Sequence, residues 1–289
     1  MRHINTLGLL AFSATLVVAQ NLGQSYAPVY VDCPSDVLFT RSASEGLNPE
    51  EETWLHNRKR VAASALSDYL SRANMKNFDI DRYISALNRS NYAAVPAIGL
   101  AISGGGYASA IMGAGVMRAL DAREEFSNAA GTGGLLQSMA FLSGQSGGTW
   151  APLSFTAADY PTADELLESW QPQIDRFTAT SNSAHAATLA SVLRDVADKA
   201  RAGFNVSVAD FIGRVNGYEF IKGPEGGLNV TMSGIKELPK FKSHQMPLPI
   251  LQIAQVTDDD PSQLGLLVPT SKSPIVCPPV SIPRSSLLL

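Results

Sequence analysis

Apolar side chains recur three and four residues apart between residues 54 and 73, where Leu55, Val61, Ala65, Leu66, Tyr69 and Leu70 share one face. That period predicts an amphipathic helix. Asn48-Pro49 followed by Glu50, Glu51 and Glu52 marks its start, since a capping side chain, a first-turn proline and acidic residues all favour a helix N-terminus. A second, shorter helix is expected over 79–87. The pattern then flattens: Ile98-Gly99-Leu100-Ala101-Ile102 is a continuous apolar run that predicts a strand buried on both faces. Glycines follow at once, and 108–123 reads as helix. Another apolar run, 135–142, stops at Ser143-Gly144. Helical spacing returns over 162–170 and 184–202. The second of these is read as a core-packing helix, because Arg194, Asp195 and Asp198 interrupt a face that could otherwise meet lipid. Residues 248–256 (LPILQIAQV) read as a strand. Strand, helix, strand-like run, helices and strand in that order predict the α/β class, a central sheet flanked by helices. Residues 20–50 mix Pro, Ser and Gly with short apolar pieces and predict an irregular arm. The chain shows no internal repeat.

Two glycine clusters change the picture from fold to chemistry. Ser146 sits in Gly144-Gln145-Ser146-Gly147-Gly148, directly after an apolar run, and Ser103-Gly104-Gly105-Gly106-Tyr107 follows the strand at Ile102. Small residues two positions to either side of a serine let the chain turn sharply and project the hydroxyl. Strand, glycine turn and helix start together present unpaired N–H groups and a positive dipole end, which suit a phosphate or an oxyanion. Dinucleotide binding fits poorly, since Ser109 stands where the third glycine belongs, and no Gly-Lys-Ser/Thr exists for a P-loop. A plain glycine-rich loop whose serine caps the next segment remains the bland alternative.

Ser103 to Gly115 (SGGGYASAIMGAG) together with GQSGGTW at 144–150 resembles the fungal lysophospholipase, or phospholipase B, family, whose catalytic domain is similar to the cytosolic phospholipase A enzymes. The resemblance extends to Tyr30-Val31-Asp32-Cys33-Pro34, residues 54–91, Ala202-Gly203-Phe204, residues 210–220 and Met246-Pro247-Leu248-Pro249-Ile250. It implies a patatin-like α/β architecture with a central mixed sheet. It further implies a Ser-Asp dyad without histidine, Ser146 as nucleophile, the amides of Gly105 and Gly106 as oxyanion hole, no cofactor, and phospholipid or lysophospholipid substrates met at a lipid interface.

Two departures from the family pattern bear on activity. Ala108 stands where the family has an arginine thought to hold the substrate phosphate, and Arg118 lies about 15 Å further along the predicted helix at 1.5 Å per residue. Neither Arg118 nor Arg123 is expected to replace it. The family's aspartate lies in a glycine-rich segment well beyond the serine, and nothing up to Leu289 matches it; Asp258-Asp259-Asp260 before Pro261 reads as an exposed turn. The resemblance ends after Ser273-Pro274-Ile275. The expected organisation is therefore a signal peptide over 1–19, an arm over 20–50, a partial catalytic domain over 51–275 and an aberrant tail over 276–289, the product of a truncated or frameshifted longer gene.

Composition agrees with a globular chain: 289 residues, 45% apolar and 17% charged, with a formal charge of −4. That balance gives no sign of nucleic-acid binding or of a cationic grip on membranes. Arg2 and His3 before an apolar stretch ending at Val17-Val18-Ala19 predict a secretory signal, too short for a transmembrane span. The sequons at Asn88, Asn205 and Asn229 are candidate glycosylation sites that agree with secretion. Ser285 to Leu289 is too short for an anchor signal, so membrane anchoring is an alternative only for a longer form. Cys33 and Cys277 give no clear pairing, and His3, His56, His185 and His244 show no metal-ligand spacing. Two rival readings remain: an α/β-hydrolase esterase with Ser146, His244 and an intervening aspartate, and a non-catalytic fragment lacking the dyad aspartate.

Overall fold

The computed structural model describes residues 26–28, 46–73, 75–170, 183–251, 253–256 and 264–267. In chain order its main elements are helices α1 (Pro49–Ala73) and α2 (Ile80–Arg89), strand β1 (Ile98–Ile102), helix α3 (Gly106–Ala119), strand β2 (Met139–Gly144), helices α4 (Trp150–Ala157), α5 (Ala163–Trp170), α6 (Ser183–Arg201) and α7 (Val208–Phe220), and strands β3 (Leu248–Leu251), β4 (Ile253–Val256) and β5 (Leu264–Leu267). These sort into two compact units. One holds the described residues of 46–170 and 232–267, the other 26–28 and 183–231. The expected signal peptide, most of the arm, Cys33, Cys277, Asp258 to Asp260 and the tail lie outside the described residues.

In the first unit, α1 starts where the sequence places it. The Asn48 side chain accepts the Glu50 N–H at 2.8 Å, and Glu50, Glu51 and Glu52 fill the positive first turn. Ala63 and Leu66 of α1 pack with Leu87 of α2 and with Val95, flanked by Tyr69, Leu70 and Tyr83. The sheet has the order β1-β2-β3, all parallel, and a separate antiparallel pair joins β4 to β5. The α/β class holds, with the parallel and antiparallel pairings in different sheets. Residues 248–256, expected as one strand, form two, because 248–251 pair with β2 while 253–256 pair with β5. Hydrophobic pattern alone carries no record of a change of partner. Pro249 lacks an N–H and is tolerated because β3 is an edge strand among the described residues.

The strand expected to be buried on both faces is not. β1 has Ile98, Leu100 and Ile102 half-buried, while Gly99 and Ala101 are exposed, an alternation that leaves one face of the strand uncovered among the described residues. The central position belongs to β2, where Met139, Ala140, Leu142 and Gly144 are buried. Helix α4 follows in the core, with Ala151 through Thr156 all buried, and Trp170 at the end of α5 donates its indole N–H to Ser154 Oγ at 2.8 Å. A buried indole needs such an acceptor.

The second unit is held by ions as much as by apolar contact. Ser207 and Asp210 form a capping box that starts α7. Asp210 also accepts from Tyr26 Oη at 2.9 Å and pairs with Lys199 of α6. Arg214, 2% exposed, bonds Asp195 at 2.8 and 3.0 Å and the Glu225 carbonyl at 2.7 Å, and lies over the rings of Tyr26 and Tyr218. Asp195, which interrupts the apolar face of α6 in the sequence, is thus part of the buried face. Burial raises its carboxyl, against the pull of Arg214. A charge inside a core is tolerated when its partner and hydrogen bonds come with it.

Candidate active site

Parallel register sets the site. Ile102, the last residue of β1, pairs with Gly144, the last residue of β2, so the loops after the two strands leave the sheet side by side at its C-terminal edge. That edge is where parallel sheets place ligands. The Gln145 N–H bonds the Ile102 carbonyl at 3.0 Å, tying the turn after β2 to the end of β1.

Glycine makes the close approach possible. A methyl carbon at Gly147 would lie 2.2 Å from the Gly106 carbonyl oxygen, and one at Gly148 would lie 2.4 Å from both the Ile102 and the Ser103 oxygens. All three neighbours are backbone, so no rotamer could yield. A methyl carbon at Gly104 would stand 3.2 Å from Ser146 Cβ, which puts the serine directly against the upstream glycine loop. The two clusters, 43 residues apart in sequence, lie in direct contact.

Ser146 is exposed and has φ of 51°, the left-handed region that costs a non-glycine residue about 1 kcal/mol or more. It opens a single 3-10 turn, Ser146–Thr149, between β2 and α4. Strand, strained serine and helix in direct succession form the elbow that G-x-S-x-G predicts, with the side chain lifted off the sheet edge. Gly105, φ 151°, caps α3, and Gly106, φ 61°, is its first residue. Their N–H groups are among the donors a helix start leaves without an intrahelical acceptor, at the positive end of a 14-residue helix. Tyr107, the second residue of α3, and Trp150, the first of α4, meet edge to face at 5.4 Å beside the two loops.

Other candidates are placed elsewhere. His244 lies tilted against Trp54 of α1, and its carbonyl accepts from Arg58, which also bonds the Met139 carbonyl at the opposite end of β2. Six strand residues and the turn separate that end from Ser146, about 20 Å at 3.3 Å per residue. The triad with His244 is therefore excluded on distance. Among the described residues no carboxylate or imidazole hydrogen-bonds the Ser146 hydroxyl, and no group of three or more His, Cys, Asp or Glu could hold a metal. Arg118 pairs with Asp164 at 2.9 Å and Arg123 with Asp121 at 2.6 Å, so neither substitutes for a cation at exposed Ala108. Asn88, Asn205 and Asn229 are all exposed.

The sequence reading missed two supports of the site. Gly113 lets α3 close on Ile102 and Ala151, where a methyl carbon would meet Ile102 Cδ1 at 2.7 Å. The signal was present as the small buried stripe Ala110, Gly113, Ala114. Arg58, 1% exposed, fastens α1 to the start of β2 through carbonyls, and nothing in its own sequence neighbourhood marks it as buried.

The lysophospholipase catalytic domain matches residues 98–265. Lysophospholipase of Arthroderma benhamiae is 35% identical over 242 residues, 80% of this chain and 37% of that protein. Lysophospholipase 2 of Saccharomyces cerevisiae is 37% identical over 239 residues, 79% of this chain and 34% of that protein. The chain thus spans about a third of the length of the curated relatives it matches. Human GIVD cytosolic phospholipase A2 superposes with a TM-score of 0.52 at 19% identity, over 82% of this chain and 30% of that one, which shows a shared fold. Matched over both glycine loops and the strands that present them, the chain belongs to the lysophospholipase catalytic-domain family.

Proposed function

We propose that Ser146 is the nucleophile of a lysophospholipase or phospholipase B reaction. The observation that carries it is the strained, exposed serine seated against the glycine loop whose amides open α3. In this reading Ser146 Oγ attacks the ester carbonyl carbon; the family resemblance implies an aspartate that takes its proton, a base that none of the described carboxylates supplies at Ser146. The Gly105 and Gly106 N–H groups donate to the developing oxyanion, the lysolipid or glycerol oxygen leaves with the proton, and water then releases the fatty acid from serine. A lipid substrate is supported by the exposed face of α3, where Ile111, Met112 and Val116 are 42%, 71% and 39% exposed and share an uncharged stripe with exposed Ala108 and Gly115. Such a stripe beside the serine suits acyl chains or a lipid surface.

Secretion and glycosylation belong to the same proposal, supported by the leader-like N-terminus and the exposure of all three sequon asparagines. No helix among the described residues is long and apolar enough to cross a membrane. The test is fatty-acid release from lysophosphatidylcholine micelles by the full chain and by Ser146→Ala. Release that depends on Ser146 supports the reading. Release unaffected by the substitution overturns it, and no release by either form favours the non-catalytic fragment.

A further inference from the structure

A cavity of about 500 Å³ lies in the first unit, away from the serine. Its walls carry Arg58, Arg72, Arg123 and Lys240, with Asp68 and Gln245 among the polar residues. The volume is in the ordinary range of small-ligand sites. Arg58 bonds the carbonyl of Met139, which begins β2, while Ser146 follows the other end of that strand. The two sites are thus about 20 Å apart at 3.3 Å per strand residue.

The charges in this cavity do not cancel. Arg123 is engaged by buried Asp121, with bonds at 2.6 to 3.0 Å. Arg58, Arg72 and Lys240 have no carboxylate partner among the described residues; each donates to main-chain carbonyls, of Met139, Gln137 and His244 for Arg58, Gly133 for Arg72 and Tyr160 for Lys240. These three cations face Asp68, a formal excess of two positive charges on the lining. Burial without an opposing carboxylate pulls the Arg58 guanidinium down to about 10. A buried cation in that state is stabilised by any anion that comes near it, and although the Arg58 fork is taken up by carbonyls, Arg72 commits only one Nη to Gly133 and keeps a guanidinium edge of the kind that favours phosphate.

We propose that the cavity between α1 and the start of β2 is a second site, one that binds a phosphate dianion through Arg58, Arg72 and Lys240. A dianion matches the excess charge, where a carboxylate would leave half of it. Inorganic phosphate and a small phosphomonoester share this chemistry, and the available volume accommodates either. The site stands apart from the ester-hydrolysis reading and is tested without it.

The experiment titrates inorganic phosphate, and separately glycerol 3-phosphate, into the full chain carrying Ser146→Ala by isothermal calorimetry at fixed ionic strength. One saturable site is expected for at least one of the two, and the tighter ligand identifies the source. The double variant Arg72→Gln, Lys240→Gln should weaken binding at least tenfold while still giving a cooperative melt without phosphate, lowered only by the loss of the bonds to the Gly133 and Tyr160 carbonyls. Asp68→Asn should tighten it about threefold, since removing one exposed like charge is worth a few tenths to about 1 kcal/mol. That gain cannot come from unfolding. Absence of saturable heat with both ligands, or affinities indifferent to all three substitutions, overturns the proposal.

Discussion

Replacing Gly147 by alanine tests whether the two glycine loops are in contact as described. The new methyl carbon would lie 2.2 Å from the Gly106 oxygen, 2.5 Å from its Cα and 2.6 Å from its carbonyl carbon. Ordinary contact needs about 3.5 Å, so the elbow and the glycine loop must separate by roughly 1 Å. Gly147 does not have a positive φ, so alanine brings no backbone strain of its own and the clash is isolated. Overpacking against unyielding backbone costs about 2 kcal/mol, which for a unit of this size lowers the melting temperature by about 4–8 °C. A misplacement of about 1 Å between nucleophile and oxyanion donors lowers the rate of serine acylation about 100-fold. Gly115→Ala is the control: nothing lies within 4 Å of its methyl position, so it should label normally and melt no lower. The assay is differential scanning calorimetry with fluorophosphonate labelling on the same preparations. If Gly147→Ala melts and labels like the parent, the loops are not where the structure puts them.

Three further outcomes follow from the same geometry. Ser146→Gly removes the left-handed strain and should raise stability by about 1 kcal/mol in thermal melts, whereas Ser146→Ala keeps φ at 51° and should not. His244→Ala should change ester hydrolysis or probe labelling less than about twofold, since the histidine sits at the far end of β2; a triad histidine would cost about 10,000-fold. Desolvation pushes the Asp210 carboxyl upward, but hydrogen bonds from Lys199, the Ser207 N–H and Tyr26 outweigh it and hold the group below its ordinary value. The unfolded chain therefore binds the proton more readily. Asp210 should stabilise the fold fully above about pH 4 and lose that contribution as pH falls through its depressed value. Melting curves of the parent and Asp210→Asn should differ by a constant amount from pH 8 to 5 and converge in stronger acid.

The parts of the site legible in the sequence were those where local geometry demands a residue type. Gly147 and Gly148 lie against backbone that any side chain would strike, and Gly105 and Gly106 occupy positive φ, so glycine had to stand there and could be read directly. The cap at Asn48 and the acidic first turn of α1 were legible for the same local reason. What long-range pairing decides was not. The exposure of Gly99 and Ala101 depends on what packs over that face of β1, and the division of 248–256 depends on two different partners. The buried ions were equally hidden: Asp195 looked like an interruption of an apolar face until Arg214, 19 residues away, reached it.

The central claim is that the Ser146 hydroxyl stands as a nucleophile beside the Gly105 and Gly106 amides. A fluorophosphonate bearing a fatty chain, followed by peptide mass spectrometry, addresses it in one step. The account predicts a phosphonyl adduct on Ser146 alone, formed at a rate that saturates with probe. An unmodified Ser146 peptide under conditions that label a serine hydrolase control, or an adduct on some other serine, would contradict it.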